Sequence, residues 1–373
     1  MKLKICSAVI STLLLAGQAS AFTLYEDEQT KFDIGGVFVL DAFQPVFGED
    51  DIFSASRSIL NMGVERQIQP GLTMDAKFEW DQFLNSPTSG RNNFRNRLGY
   101  VSINSDELGN LRFGKQWSAY HDVARYMDNL IIIDPDATPI YSEGTDGGFA
   151  ATGRGDNLVA YRYSNNGVNV SAHYGFTSDG EESAPFEDAG ETKTVKVKRD
   201  YNYALSTSYD FESGLSLGVA YLENKVEITN SQEVNGLEDG DKQTALTVGG
   251  QYVAGGLKVA AVYTKGENIH KAGLQGTSNP ETSAKWADAD AVDVYAHYAL
   301  ESGFRPYAYA SHVDFDGEDG VDGDRQVYAV GLSYAFTPGA TLSVEVKRNE
   351  LNEFSGESSR TDNGGGFNFA WAF

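Results

Sequence analysis

The side chains able to do chemistry are histidines and charged residues, and their spacing argues for an electric field, not for bond making. The five histidines are His121, His173, His270, His297 and His312, and no His-x-x-x-His pair occurs among them. His173 and His297 have the parity to face a channel. The run Asp314 to Asp324 has the acidity of a calcium loop. Counted from Asp314, however, its sixth position is Asp319 and its twelfth is Arg325, where an EF-hand needs Gly and Glu. It reads as a solvated acidic hairpin loop, and no metal or cofactor is expected. The notable charges sit in mid-strand: Asp75, Lys77 and Glu79 alternate with Met74, Ala76, Phe78 and Trp80, and Arg95 and Arg97 share one polar face with Gly99. Charges in such places line a water-filled path and select the ions that pass along it. An enzyme would need a convergent Ser/His or Asp/His set, which cannot be placed.

The elements that must position these charges are strands. Period-two alternation runs through the chain, as in Val168, Val170, Ala172, Tyr174 and Phe176, and again in Tyr328, Val330, Leu332, Tyr334 and Phe336. Aromatics gather at strand ends, at Trp80, Phe176, Phe211, Phe304 and Phe336. An apolar outer band with aromatic girdles and a wet interior accounts for both features. Backbone groups in hydrocarbon must all pair, so the sheet must close. Segments begin near residues 31, 53, 71, 93, 109, 156, 167, 199, 214, 241, 256, 289, 303, 324, 339 and 361. Short Gly-containing turns such as Gln69-Pro70-Gly71 and Asn165-Asn166-Gly167 alternate with long connectors, including 116–155, 177–198, 230–240 and 269–288. The expected fold is therefore all-β: a transmembrane, 16-stranded, antiparallel up-and-down β-barrel. A barrel of that size is too wide for side chains to fill.

Composition agrees with export to an envelope. Residues 1–21 combine Lys2 and Lys4, an apolar run from Ala8 to Ala16 and the small-residue site Ala19-Ser20-Ala21, the three-part pattern of a cleaved signal peptide. Residues 22–373 would then form the barrel. Cleavage removes two lysines and the lone Cys6, taking the net charge from -24 to -26 and excluding a disulfide scaffold. The acid excess excludes nucleic-acid binding by bulk electrostatics. It favours cations in a channel, although many acids belong to outer loops, such as Glu181, Glu182, Glu187, Asp188 and Glu191, where they could hold divalent ions that bridge lipopolysaccharide.

Three segments resemble the Gram-negative general diffusion porins: Asn96 to Val101 with Glu107 to Lys115, then Tyr120 to Asp128 inside the long connector, then Ala160 to Asn165 after it. The terminal Phe373, with Phe367, Phe369 and Trp371 alternating before it, is similar to the family's C-terminal assembly signal. The resemblance implies a homotrimer in the outer membrane of a Gram-negative bacterium, surrounded by lipid and lipopolysaccharide, whose C-terminal strand is read by the barrel-assembly machinery. It implies a third extracellular loop (about 116–155) that folds inward and narrows the pore. Carried over by motif, Arg97 and Arg162 match basic residues of the constriction wall. Arg57 stands one or two positions from a third. Lys77 and Arg95 share their lumen parity. Asp128 matches a loop acid, and Asp134-Pro135-Asp136 stands near the place of a Pro-Glu-Phe-Gly-Gly segment that is absent here. The expected function is passive diffusion of ions and small hydrophilic solutes, cations preferred. The alternatives are a sugar-selective channel, which needs an aromatic ladder down the lumen (Tyr295 has the parity; Tyr307 is a second candidate), and a plugged or adhesive surface barrel.

Overall fold

The computed structural model describes residues 21–373 apart from 45–46, 48–56, 84–93, 131–133, 142–149, 179–182, 189–190, 230–235, 273–284, 317–321 and 353–358. Residues 1–20 of the expected signal peptide and the middle of the acidic hairpin loop lie outside the described residues.

The described chain forms β1 (Phe22–Glu26), β2 (Thr30–Gln44), β3 (Arg57–Gln69), β4 (Leu72–Phe83), β5 (Phe94–Ser105), β6 (Gly109–Trp117), β7 (Arg154–Asn165), β8 (Val168–Gly175), β9 (Ser183–Asp188), β10 (Glu191–Asp210), β11 (Leu215–Ile228), β12 (Lys242–Ala254), β13 (Leu257–Lys271), β14 (Trp286–Tyr298), β15 (Phe304–Asp316), β16 (Gly323–Thr337), β17 (Ala340–Asn352) and β18 (Arg360–Ala372). Sixteen of these, β2 to β8 and β10 to β18, pair antiparallel with their sequence neighbours, and the barrel closes where β18 pairs β2. Closure leaves no edge to hydrocarbon. The strand starts expected from periodicity agree within a few residues. One differs more: β10 begins at Glu191, because it extends past the barrel to pair the short β9.

β1 was not expected. It and β18 share one edge of β2, β1 beside Lys31 to Ile34 and β18 beside Val37 to Gln44. Phe373 closes the gap: its N–H donates to the Gly36 carbonyl at 3.0 Å and its carbonyl accepts the Gly36 N–H at 3.1 Å. The two ends of the strand set thus meet along β2, and the ladder stays continuous around the barrel.

Alternation sorts the side chains. Leu40, Val64, Phe78, Leu205, Val248 and Val344 face outward and are exposed on the isolated barrel, whereas Ser102, Asn202, Thr264 and Ser343 face inward and are buried. Aromatic pairs mark both rims. Tyr209–Phe211 and Phe304–Tyr334 (both 4.6 Å between centroids) lie at the short-turn end, and Phe78–Trp80 (5.9 Å) and Tyr174–Phe176 (5.1 Å) toward the long-loop end. This is the girdle pattern of a bilayer-spanning barrel, set by where an amphipathic ring prefers to sit. Parity fails at one point. Asn96 pairs Trp80 while Leu98 pairs Glu79, so Arg97 is the extra residue of a β-bulge. Arg95, Arg97 and Leu98 face inward, and Gly99 turns outward, contrary to its expected place on the polar face.

The terminal aromatics have a defined seat. Phe373 stacks on Phe38 at 5.1 Å, Trp371 lies 5.8 Å from the same ring, and Phe369 pairs Leu40. A Cβ on Gly36 would stand 2.4 Å from the Ile59 carbonyl and 2.8 Å from Phe373 Cζ. Gly36→Val is therefore expected to unseat the terminal ring and destabilise the barrel by about 1–3 kcal/mol. Gly63→Val, whose Cβ meets nothing within 4 Å, is expected to fold normally. Heat-modifiable migration on gels and urea titration check both.

Candidate functional site

The described residues of the connector between β6 and β7, 118–130, 134–141 and 150–153, pack against the inside of the barrel wall. A one-turn helix α1 (His121–Ala124) and a 3-10 turn (Pro139–Tyr141) carry Tyr120, Val123, Ala124, Met127 and Ile140, each at most 1% exposed. They pack on inward alanines of the barrel wall, Ala204, Ala220, Ala245, Ala260, Ala289 and Ala291. Small wall residues leave the room that the loop fills. A Cβ on the inward Gly218 would come within 2.8 Å of Val123 Cγ2. Full burial of the larger loop side chains contributes roughly 1.5–3 kcal/mol each.

Polar contacts then fix the loop around the wall. The Ala119 N–H donates to His173 Nδ1 at 3.0 Å. Tyr120 Oη and Thr247 Oγ1 lie 2.6 Å apart. Lys258 Nζ donates to Asn129 Oδ1 at 2.6 Å. His270 Nε2 donates to the Ala137 carbonyl at 3.0 Å. Farthest across, Arg325 of β16 grips Asp136 through Nε at 2.8 Å and Nη2 at 2.5 Å. The Asp136 N–H donates to Tyr309 Oη at 2.8 Å and to Asp293 Oδ2 at 3.1 Å. The connector thus runs from β6 across the barrel to β16.

The opposite wall, β4 and β5, carries charges. Asp81 accepts Arg95 Nη2 at 2.8 Å and Arg97 Nη1 at 3.1 Å, and Glu79 accepts Arg97 Nε at 2.8 Å. Lys77 Nζ is 3.8 Å from Glu79. Asp81 is wholly buried, while Lys77 and Arg95 keep about a third of their side chains exposed (37% and 33%). Arg97 therefore faces inward from β5, already joined to two carboxylates. Arg162 is aimed at the loop: it donates to Asp122 Oδ2 at 2.8 Å, the Trp117 carbonyl at 2.7 Å, the Ser118 carbonyl at 3.1 Å and Gln116 Oε1 at 3.3 Å. It braces the root where the connector leaves β6. Arg57 opens β3 opposite Phe83, and its side chain lies outside the described residues.

Of the expected loop acids, Asp136 is buried under Arg325, Asp134 is exposed, and Asp128 accepts Tyr141 Oη at 3.1 Å with His121 Nε2 at 3.5 Å. Burial pushes the Asp128 carboxyl up, but His121, Tyr141 and Arg154 together outweigh it and hold it below its ordinary value. Burial also pushes the His121 imidazole down, against the pull of Asp128. That ring stacks on Trp117 at 4.0 Å, and Arg154 covers the same indole at 4.6 Å.

Asp122, Arg325, Glu79 and Asp81 had not been singled out as site residues. A usable sign was the inward Ala-x-Ala rhythm of Ala287, Ala289 and Ala291, which marks the wall that the loop covers. The sequence also spells Gly-x-Ser-x-Gly at Gly214 to Gly218. It runs from a hairpin turn into β11, and Ser216 Oγ donates to Asp210 at 2.6 Å. This is no strand-to-helix nucleophile elbow.

A family model for Gram-negative porins matches residues 8–353. Outer membrane protein F of Serratia marcescens is 26% identical over 374 residues, covering 95% of this chain and 94% of its own. Outer membrane porin N of Escherichia coli (strain K12) is 26% identical over 373 residues, with the same coverage. Among solved structures, Salmonella typhi OmpF in complex with daunomycin superposes with a TM-score of 0.72 at 20% identity, covering 94% of this chain and 100% of that one.

Two predictions follow from the loop's anchors. Arg162→Gln removes a charge-assisted contact and two carbonyl ties at the loop root. A destabilisation of about 2 kcal/mol is expected, together with noisier open-channel current in bilayer recordings. His121 is depressed in the folded state, so it binds a proton less readily there than when unfolded. Loop docking should therefore be strongest above the ordinary imidazole value, about pH 6.5, and weaken as pH falls through it toward the lower folded value. His121→Phe should flatten that window, read as protease sensitivity of the loop against pH.

Proposed function

The chain belongs to the Gram-negative porin family, and from that premise we propose that it conducts ions and small hydrophilic solutes across the outer membrane by passive diffusion, with cations preferred. The observation that carries this reading is the division of the barrel interior. Among the described residues the loop is bonded to the β8–β16 wall, and the charged β4–β5 wall keeps Lys77 and Arg95 partly exposed. A channel bounded in this way sieves by width and selects by charge.

Cation preference is supported by how the charges are partnered. Arg95, Arg97, Arg162 and Arg325 are each joined to a carboxylate at contact distance. Asp75 is held by Ser102 and Asn104, and Asp210 by Asn169 and Ser216, all neutral donors. An acid held by neutral groups keeps its field, and the acid excess of the chain adds to it. Arg57, Lys77, Arg95, Arg97 and Arg162 on the wall, with Asp128, Asp134 and Asp136 on the loop, form the constriction in this reading. The rest follows the family: a homotrimer, with cleavage after Ala21, lipopolysaccharide around the outer rim, and Phe369, Trp371 and Phe373 presented to the barrel-assembly machinery.

The sugar-selective alternative draws on inward Tyr295, Tyr307 and Tyr309. Their hydroxyls are engaged with His297, Glu345 and Asp293, and the rings are at most 5% exposed. They serve as packing under the loop, not as a ladder open to solute.

Single-channel recording under a salt gradient tests the reading. Conductance steps in threes and a reversal potential of cation-selective sign are expected. Silence from folded protein would overturn the channel, an anion-selective sign would overturn the preference, and saturable sugar flux would favour the alternative. Asp75→Asn should move the reversal potential toward anions without loss of folding.

A further inference from the structure

Arg112 differs from the other wall arginines. It lies on β6, three residues from the turn at Gly109, and faces the lumen between the outward Leu111 and Phe113. Its guanidinium carbon sits 4.0 Å from the centroid of the Tyr100 ring on the neighbouring β5. Among the described residues this stacking is the whole of its side-chain partnership. Nε is buried under the stack without a hydrogen-bond partner, and the terminal nitrogens are neither bonded nor enclosed. Asp75 and Asp122 are close enough to act on it electrostatically. Asp75 accepts Ser102 Oγ at 2.5 Å and Asn104 Nδ2 at 2.6 Å, and Asp122 accepts Arg162 Nε. Glu79, which acts on Tyr100, accepts Arg97. Across the ladder, Arg112 stands opposite Ser102, not opposite an acid.

We propose that Arg112, held flat on Tyr100, is a recognition site for the carboxylate group of solutes passing through the channel. A guanidinium stacked on a ring keeps its donor edge in one plane, and that edge matches the two oxygens of a carboxylate. Because the ring fixes the plane beforehand, little side-chain freedom is lost when an anion arrives. The place suits the task. Arg112 lies roughly 10 Å along the strand from the short turn, between that turn and the loop root at Trp117, so a solute meets it beyond the loop. In a channel that favours cations, one guanidinium with no carboxylate in contact gives an organic anion a stopping point without reversing the overall selectivity. This inference rests on the channel reading.

The test uses the purified channel in planar bilayers, with succinate as probe and its neutral diamide, succinamide, as control. Succinate should reduce the potassium current of the natural protein saturably, and succinamide should not. Arg112→Gln should weaken that block about tenfold with potassium conductance retained. Arg112→Lys keeps the charge but not the planar fork, and should also weaken it. Tyr100→Leu should fall between, because the platform is lost. Unchanged block in Arg112→Gln, or full block in Arg112→Lys, would overturn the site. Should Arg112→Gln fail the heat-modifiability check for folding, Arg112→Lys and Tyr100→Leu decide the matter. Loss of all current in the natural protein would instead strike at the channel itself.

Discussion

Everything in this molecule depends on one constraint: a backbone in hydrocarbon must satisfy its own hydrogen bonds. A sheet meets that demand only by closing. Closure here requires β18 to find β2, and Phe373 with β1 to finish the remaining length of that edge. Once the sheet is closed, each residue has one of two destinations. Leu40 and Val344 go to lipid, while Asp81 and Ser343 go to the interior. Chemistry inside the barrel is thus a consequence of parity, and parity a consequence of closure.

The interior is then divided by residue size. Alanines on β10 to β14 make a shallow floor, and the apolar side of the β6–β7 connector settles there. Longer charged side chains occupy β4 and β5, where Lys77 and Arg95 keep about a third of their side chains exposed. The loop is held by dispersed polar ties and one two-pronged ion pair, Arg325 with Asp136. Such a pair, nearly buried at both ends, fixes position more surely than it adds stability, because desolvation offsets much of its attraction.

Strand identity, turn positions and the inward or outward sense of most residues were legible in the sequence, because a period of two is a local property. Strand parity likewise turned Arg97 and Arg162 inward. What could not be read was the pairing of charges. Asp136 meets Arg325 across 189 residues, and no local pattern encodes that contact. The bulge at Arg97 was equally silent: one extra residue turned Gly99 outward, and only the register of β4 against β5 reveals it. β9 and the long start of β10 escaped because they extend the sheet beyond the membrane, where the alternation that betrays a half-buried strand is not required.

The same pairing explains why charge counts alone are a poor guide to selectivity. An arginine in contact with a carboxylate is a dipole to a distant ion, and its field falls away faster than that of a lone charge. Arg95, Arg97 and Arg162 are all of this kind, although sequence marks them as the basic side of a constriction. On the proposed reading an ion senses the groups left over after contact pairing, which among the described residues include Asp75 and Asp210 among neutral donors and Arg112 on its tyrosine. Register decides which groups these are. Asp75 faces Ser102, and Ser102 faces Arg112, so a serine stands between an acid and a base that a shift of the ladder would have brought together. The selectivity proposed for the channel would thereby be written in strand register, the same property that closes the barrel.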